Sequence, residues 1–133
     1  MSVVTLLDDE NASLWYHPEA KIVHHKIHRF LGTGMFQKLL LAGVECLELH
    51  GATKWLSDDE ASVVIAPEDI AWADRVWARR AIASGMKYWA IVNPATAVGS
   101  LQMRKLVAEY RARGVTVELH ETPAAALEWL ESV

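Results

Sequence analysis

Acidic, hydroxyl and imidazole side chains gather at the ends of three segments that the sequence predicts to be β-strands. They are Ser57, Asp58 and Asp59, then Asn93 and Thr96, then His120 and Glu121. In an open α/β sheet such positions line a ligand crevice, and Asp58 with His120 could form an acid/base pair. Ser57 lacks the Gly-x-Ser-x-Gly setting of a hydrolase nucleophile. We therefore expect ligand contacts here and no catalytic residue, the alternative being turn residues that simply end the strands.

Histidine is the second source of chemistry, because four of the six histidines fall within one predicted hairpin: His17, His24, His25 and His28. His24 and His28 share a strand face but lie about 13 Å apart at roughly 3.3 Å per residue, and His25 points the opposite way. Zinc would need a cross-strand partner such as His17, and a single cysteine offers no cysteine pair. We predict no metal and no other cofactor.

The elements that carry these residues alternate between strand and helix. A hairpin is predicted at residues 14–17 and 21–28, and further strands at 53–57, 87–92 and 115–119. Apolar spacing, prolines and glycines predict a helix that ends at Gly51, one from Pro67 to Gly85, one around Met103 that ends at Gly114, and one after Pro123. This order predicts an α/β fold in which an N-terminal β-hairpin precedes βα units, with a mixed, mostly parallel sheet and right-handed crossovers.

Composition sets the class of protein. The 133 residues are 52% apolar and 23% charged, which predicts one globular domain over residues 1–133. A net charge of −4 and the absence of a basic run argue against nucleic acid as a partner and allow at most peripheral membrane contact. Cys46 cannot form an internal disulfide, and the first residues lack the pattern of a signal peptide, so we expect a cytoplasmic protein.

The two faces of the predicted strands differ in polarity. Along the last strand Val117 and its apolar neighbours alternate with Thr116 and Glu118, so one face of the sheet is predicted to be largely uncovered by helices. We place Trp55 and Trp89 on that face. An exposed aromatic surface of this kind predicts self-association, with an interface formed by Ile22, His24, Trp55 and Trp89.

Three segments carry a family resemblance: residues 14–25 (LWYHPEAKIVHH), 54–59 (KWLSDD) and 87–92 (KYWAIV). They resemble the SpoIIAA-like branch of STAS domains, described as STAS/SEC14 domain-containing proteins. The resemblance implies strands laid side by side in chain order and helices mainly on one face of the sheet. It also implies roles in regulatory protein contacts, dimerisation or the binding of lipid-like ligands.

The sequence departs from the phosphorylated members of that family. Those proteins carry Asp-Ser-Ser-Gly after the central strand, whereas this chain has Leu56-Ser57-Asp58-Asp59-Glu60. A phosphate on Ser57 would add a charge of about −2 beside three carboxylates and would be repelled. We therefore expect Ser57 to end a strand and not to be a phosphosite.

Together these observations predict a non-enzymatic regulatory or binding module of the SpoIIAA-like STAS type, acting through a homodimer or through contacts with another regulatory protein. The alternative is a Sec14-like binder of a small amphipathic or lipid-like ligand held between the helices and the sheet. In either case the predicted ligand-binding residues are Trp55, Ser57, Asp58, Trp89, Asn93, Thr96 and His120.

Overall fold

The computed structural model describes residues 3–59 and 65–133, and these form a six-stranded sheet with helices packed on it. The strands are β1 (Val4–Asp8), β2 (Ala12–His17), β3 (Ile22–Ile27), β4 (Lys54–Asp58), β5 (Tyr88–Val92) and β6 (Thr116–His120). The helices are α1 (Thr33–His50), α2 (Pro67–Trp72), α3 (Ala78–Ala83), α4 (Ala97–Arg111) and α5 (Pro123–Ser132). No helix in residues 3–59 and 65–133 has the length and apolarity needed to cross a membrane.

The strands lie side by side in chain order, from β1 at one edge to β6 at the other. β1, β2 and β3 are antiparallel neighbours, whereas β3, β4, β5 and β6 are parallel. The predicted mixed, mostly parallel α/β sheet is confirmed. β1 was not predicted: it is a short, largely exposed edge strand with a register irregularity between Thr5 and Leu7, so it carries little of the alternation that marks a half-buried strand.

One face of the sheet, called the front face below, is covered by α1, α3 and α4. Helix α1 buries Phe36, Leu39, Leu40, Val44 and Leu47, the stripe expected from their spacing of three and four residues. Gly51 ends the helix with a left-handed backbone (φ 62°), a conformation that glycine adopts without the strain caused by a Cβ. Most of the hydrophobic core lies between these helices and the front face.

The placement of two tryptophans on an uncovered face was wrong. Trp55 and Trp89 are neighbours across β4 and β5, and both are buried on the front face, with 0% and 6% of their surfaces exposed. Trp77 packs edge-on against both rings, with centroid separations of 5.0 and 5.2 Å. The alternation rule failed because β5 is apolar or aromatic on both sides, as expected of a strand that helices cover on both faces, while each side of β4 combines one large apolar residue with polar ones.

The opposite face of the sheet, called the back face, is covered in part by α5. Ala126 and Leu130 of that helix pack on Leu56, Ala90 and Val92 from β4 and β5, together with Ile22 from β3. Ile22 is completely buried, so the predicted exposure of Ile22 was also wrong. His24 lies on the same face and is half-buried. Three of the four predicted interface residues are therefore inaccessible to a second copy in this fold.

The helix predicted from Pro67 is interrupted by a π-helical turn at Ala73–Trp77. Pro67 occupies the first turn together with Glu68 and Asp69, residue types that suit the positive end of the helix dipole. Within the π turn the backbone N–H of Ala78 bonds to the carbonyl of Ala73, five residues earlier. One extra residue in a helical turn rotates the residues that follow it, and π turns recur at functional sites.

Candidate ligand-binding site

A cavity of about 60 Å³ lies between the front face and the helices, near the carboxyl ends of β3 and β4. Its walls are formed by strands β3, β4 and β5 together with α1, α4 and the π turn. The walls are mainly apolar, including Ile27, Phe36, Leu40, Trp77, Met103 and Leu106. Polar groups are interspersed among them, namely His25, Ser57, Asp59, Asp74, Glu109 and Tyr110. An apolar cavity with a few convergent polar groups is the usual form of a small-molecule site.

One wall contains a buried chain of hydrogen bonds that joins β3 to β4. The indole N–H of Trp55 donates to Nδ1 of His25 over 3.0 Å, and Nε2 of His25 lies 3.1 Å from Oδ1 of Asp59. Because Nδ1 accepts, the imidazole carries its proton on Nε2 and donates it to the carboxylate. Both ring nitrogens are engaged, so this histidine is held as part of the wall and does not act as a base toward Ser57.

Ser57 is also engaged in the core. Its Oγ accepts the indole N–H of Trp89 over 2.8 Å, and the residue is almost fully buried. This contact explains why strand β4 tolerates a hydroxyl on its front face, since a buried polar atom must find a partner. Ser57 and Trp89 both line the cavity, whereas Trp55 lies behind His25. Glu60, which the sequence places beside this serine, lies outside the described residues.

Trp77 is one of several cavity residues that the sequence analysis did not name as site residues. It lines the cavity and is 2% exposed, and its Nε1 has no hydrogen-bond partner among residues 3–59 and 65–133. A buried N–H without a partner is unfavourable by about 1–3 kcal/mol, so native proteins seldom retain one. This N–H is satisfied only if an acceptor atom outside the described residues reaches it. The sequence hint of a cavity at this position was slight: a tryptophan in a predicted helix, with Ala73 four residues before it and Ala78 directly after it.

Tyr110 and its neighbours form the side of the cavity that α4 contributes. The phenol donates to Oδ1 of Asp74 over 3.3 Å, Asp74 also pairs with Arg113, and the Arg113 guanidinium lies 4.9 Å from the centre of the Tyr110 ring. Burial, followed by the charge of Asp74, raises the pKa of the Tyr110 phenol far above its usual value. The phenol therefore stays protonated and fixes the π turn against α4.

Asp58 and His120 do not join this site. Both lie on the back face, where the register places Val92 between them, so they are about 10 Å apart, twice the roughly 4.8 Å spacing of strands. Asp58 Oδ2 lies 3.6 Å from Nζ of Lys26, and His120 Nε2 lies 3.5 Å from Oε1 of Glu118. The structure does not assemble the acid/base pair considered from the sequence.

The remaining predicted ligand residues, Asn93 and Thr96, follow β5 and are absent from the cavity walls as far as the structure describes them. Thr96 begins α4, and its Oγ1 accepts the backbone N–H of Gly99 over 3.0 Å. Asn93 is half-buried, and no partner for its Oδ1 occurs among the described residues. Of the predicted ligand residues, Ser57 and Trp89 line the cavity and Trp55 lies directly behind its wall. The other four lie elsewhere: Asp58, Asn93, Thr96 and His120.

The hairpin histidines form a pair across β2 and β3. Nε2 of His17 and Nδ1 of His24 are 3.1 Å apart, and their rings stack with a centroid separation of 5.3 Å. Burial lowers the pKa of His24 to about 3 and also lowers the pKa of His17, so the pair is neutral at pH 7. Within the part of the chain that the structure describes, no group of three or more His, Cys, Asp or Glu side chains could hold a metal ion.

Comparison of the chain with protein-family models, curated proteins and solved structures gave no match. The resemblance to the SpoIIAA-like STAS branch therefore stays a prediction based on the three quoted segments. Inference about function has to start from the cavity and the residues around it.

Proposed function

We propose that this protein is a non-enzymatic binding module whose front-face cavity takes a small amphipathic ligand. The observation that carries the proposal is the buried indole N–H of Trp77, which lines an apolar cavity and lacks a partner in the described chain. Such a donor gives a ligand one directed hydrogen bond. The apolar walls stabilise the bound ligand by about 25 cal/mol for each Å² of its apolar surface that they remove from water.

The hydrogen bonds that the polar wall groups already make favour ligand binding over catalysis as the function of this cavity. His25 and Ser57 are each held by an indole N–H, from Trp55 and Trp89 respectively. A nucleophile needs a base within hydrogen-bond reach, and both ring nitrogens of His25 are already used. These groups rigidify the walls, and a rigid apolar cavity lowers the entropic loss on binding.

Filling the cavity provides the test. Ala73 lines it from the π turn, whereas Ala71 lies on the exposed side of α2, so Ala73→Leu and Ala71→Leu add the same atoms at a cavity position and at a surface position. Hexanamide, a short amphipathic probe, should perturb the indole N–H signals of the wild type and of Ala71→Leu in ¹H–¹⁵N spectra. The response should be lost in Ala73→Leu. An equal response in all three proteins, or none in the wild type at millimolar probe, contradicts the proposal.

A second candidate is a protein-contact module that forms a homodimer. Three apolar side chains are exposed on the segments that follow β3 and β5: Phe30 at 58%, Val98 at 63% and Leu101 at 69%. Large apolar side chains that stay exposed on a folded chain are candidates for a contact surface. Sedimentation of the wild type beside Phe30→Ser and Leu101→Ser tests this candidate. A wild-type dimer that dissociates in the variants supports it, and a wild-type monomer at tens of micromolar contradicts it.

A further inference from the structure

We infer that the cavity selects a ligand with an uncharged head group that carries a hydrogen-bond acceptor, and that it rejects the corresponding anion. The inference rests on the proposed function, because it names the class of ligand that the same cavity would take. It follows from two independent observations: the charges of the groups that line the cavity, and the chemistry of the Trp77 donor, which has no partner among the described residues.

The charged groups that line the cavity are predominantly acidic. Asp59, Asp74 and Glu109 contribute carboxylates, and no lysine or arginine is present among the described residues of the walls. The guanidinium of Arg113, which lies over the ring of the lining residue Tyr110, already pairs with Asp74. An anionic head group would therefore lose its water and approach carboxylates without gaining a counter-ion. At low effective dielectric such repulsion is much stronger than in water.

The unpartnered donor defines what the head group must supply. An indole Nε1 can only donate, so Trp77 requires an acceptor atom. A carbonyl, ether or hydroxyl oxygen meets this requirement with no net charge, whereas an ammonium group brings only donors. The other two tryptophans around the site cannot serve, because Trp55 and Trp89 already donate to His25 and Ser57.

The position of the donor agrees with this class of ligand. Trp77 is deep in the core, packed edge-on against Trp55 and Trp89, whereas Asp74 and Glu109 are exposed residues on the outer side of the same cavity. A ligand whose oxygen reaches Trp77 therefore places its head group inside and leaves the carboxylates at the entrance. An anion would have to pass those carboxylates before it could reach the donor.

A matched pair of probes tests the inference. Hexanamide and hexanoate have nearly the same shape, and each offers an oxygen acceptor, but only hexanoate is charged at pH 7. We expect hexanamide to bind at least 10-fold more tightly. The indole proton of Trp77, assigned by its absence in Trp77→Phe, should move downfield with hexanamide, while the indole protons of Trp55 and Trp89 should move less.

A charge variant separates the electrostatic explanation from a simple difference in hydration. Glu109→Gln removes one carboxylate from the entrance and should raise the ratio of hexanoate affinity to hexanamide affinity several-fold. Glu128→Gln, on the exposed side of α5, is the matched control and should leave that ratio at its wild-type value. Hexanoate affinity equal to that of hexanamide, with both lost in Ala73→Leu, overturns this inference and leaves the proposed function intact. Failure of both probes to bind overturns the proposed function itself.

Discussion

The indole N–H of Trp55 donates to Nδ1 of His25 over 3.0 Å, and both side chains are buried on the front face of the sheet. The bond joins β4 to β3 and fixes the imidazole so that its Nε2 faces Asp59, 3.1 Å away. A buried polar group in a low-dielectric core gains from such a partner and is strongly destabilising without it. This pair therefore holds the part of the cavity wall that β3 contributes.

Replacement of His25 by phenylalanine should lower the free energy of unfolding by about 3 kcal/mol. The variant keeps a ring of similar size but leaves the Trp55 N–H without its acceptor and removes the imidazole from a buried carboxylate. Urea denaturation of His25→Phe, Trp55→Phe and the double variant measures the coupling. The double variant should be about 1 kcal/mol more stable than the sum of the single losses predicts. Strict additivity would show that the bond contributes nothing.

Gly43 and Gly34 provide a matched pair within α1. A Cβ at Gly43 would collide with the ring of Trp55, coming within 2.9 Å of Cζ2, whereas a Cβ at Gly34 meets no atom within 4 Å. Alanine in place of helical glycine normally stabilises by roughly 0.5–1 kcal/mol. We expect that gain in Gly34→Ala and a net loss of about 2 kcal/mol in Gly43→Ala. Equal unfolding midpoints in denaturant for the two variants would contradict the close packing of α1 on Trp55.

Acid should destabilise the fold through His24. Burial above all, followed by the nearby His17, His25 and Lys26, lowers the pKa of His24 from 6.5 to about 3. Below pH 6.5 the unfolded chain binds a proton that the folded chain does not, so stability decreases as the pH falls from 6.5 toward 3. Between pH 7 and 5.5 the wild type should lose about 1 kcal/mol more than His24→Gln in urea denaturation. The same loss in both proteins would assign the pH dependence to other groups.

Ser57 should tolerate loss of its hydroxyl better than the gain of a charge. Ser57→Ala leaves the Trp89 N–H without its acceptor and should lower stability by about 1–3 kcal/mol. Ser57→Asp places a carboxylate in the core beside Asp59 and should prevent folding or reduce stability by more than about 4 kcal/mol. Circular dichroism and urea denaturation measure both effects. A Ser57→Asp protein within about 1 kcal/mol of the wild type would reopen the question of phosphorylation at this position.

Several features of the fold followed from the sequence because they depend on local patterns. The spacing of Phe36, Leu39 and Val44 predicted the buried face of α1, and proline at position 67 predicted the start of α2. Alternation of strands and helices predicted the parallel part of the sheet, since parallel neighbours need a crossover connection. These inferences use only residues that are close together in the chain.

Local sequence patterns could not predict which face of the sheet carries Trp55 and Trp89. In β5 both sides of the strand are apolar or aromatic, and in β4 each side combines one large apolar residue with polar ones, so alternation did not distinguish the two faces. Only the packing of α5 on Leu56 and Ala90, and of Trp77 between the two tryptophans, decided which face each ring occupies. A one-residue shift in register would reverse every side chain, and long-range packing alone selects against it.

By itself, the sequence determined the order of the elements, the class of the fold and the acidic character of the chain. The tertiary structure decided where the cavity lies and which tryptophan lines it with an N–H that has no partner among the described residues. The π turn rotates Trp77 relative to an uninterrupted helix, and the strand register brings Ser57 beside His25 from 32 residues away in the chain. Both effects depend on contacts between segments that are distant in sequence, and no local periodicity records such contacts.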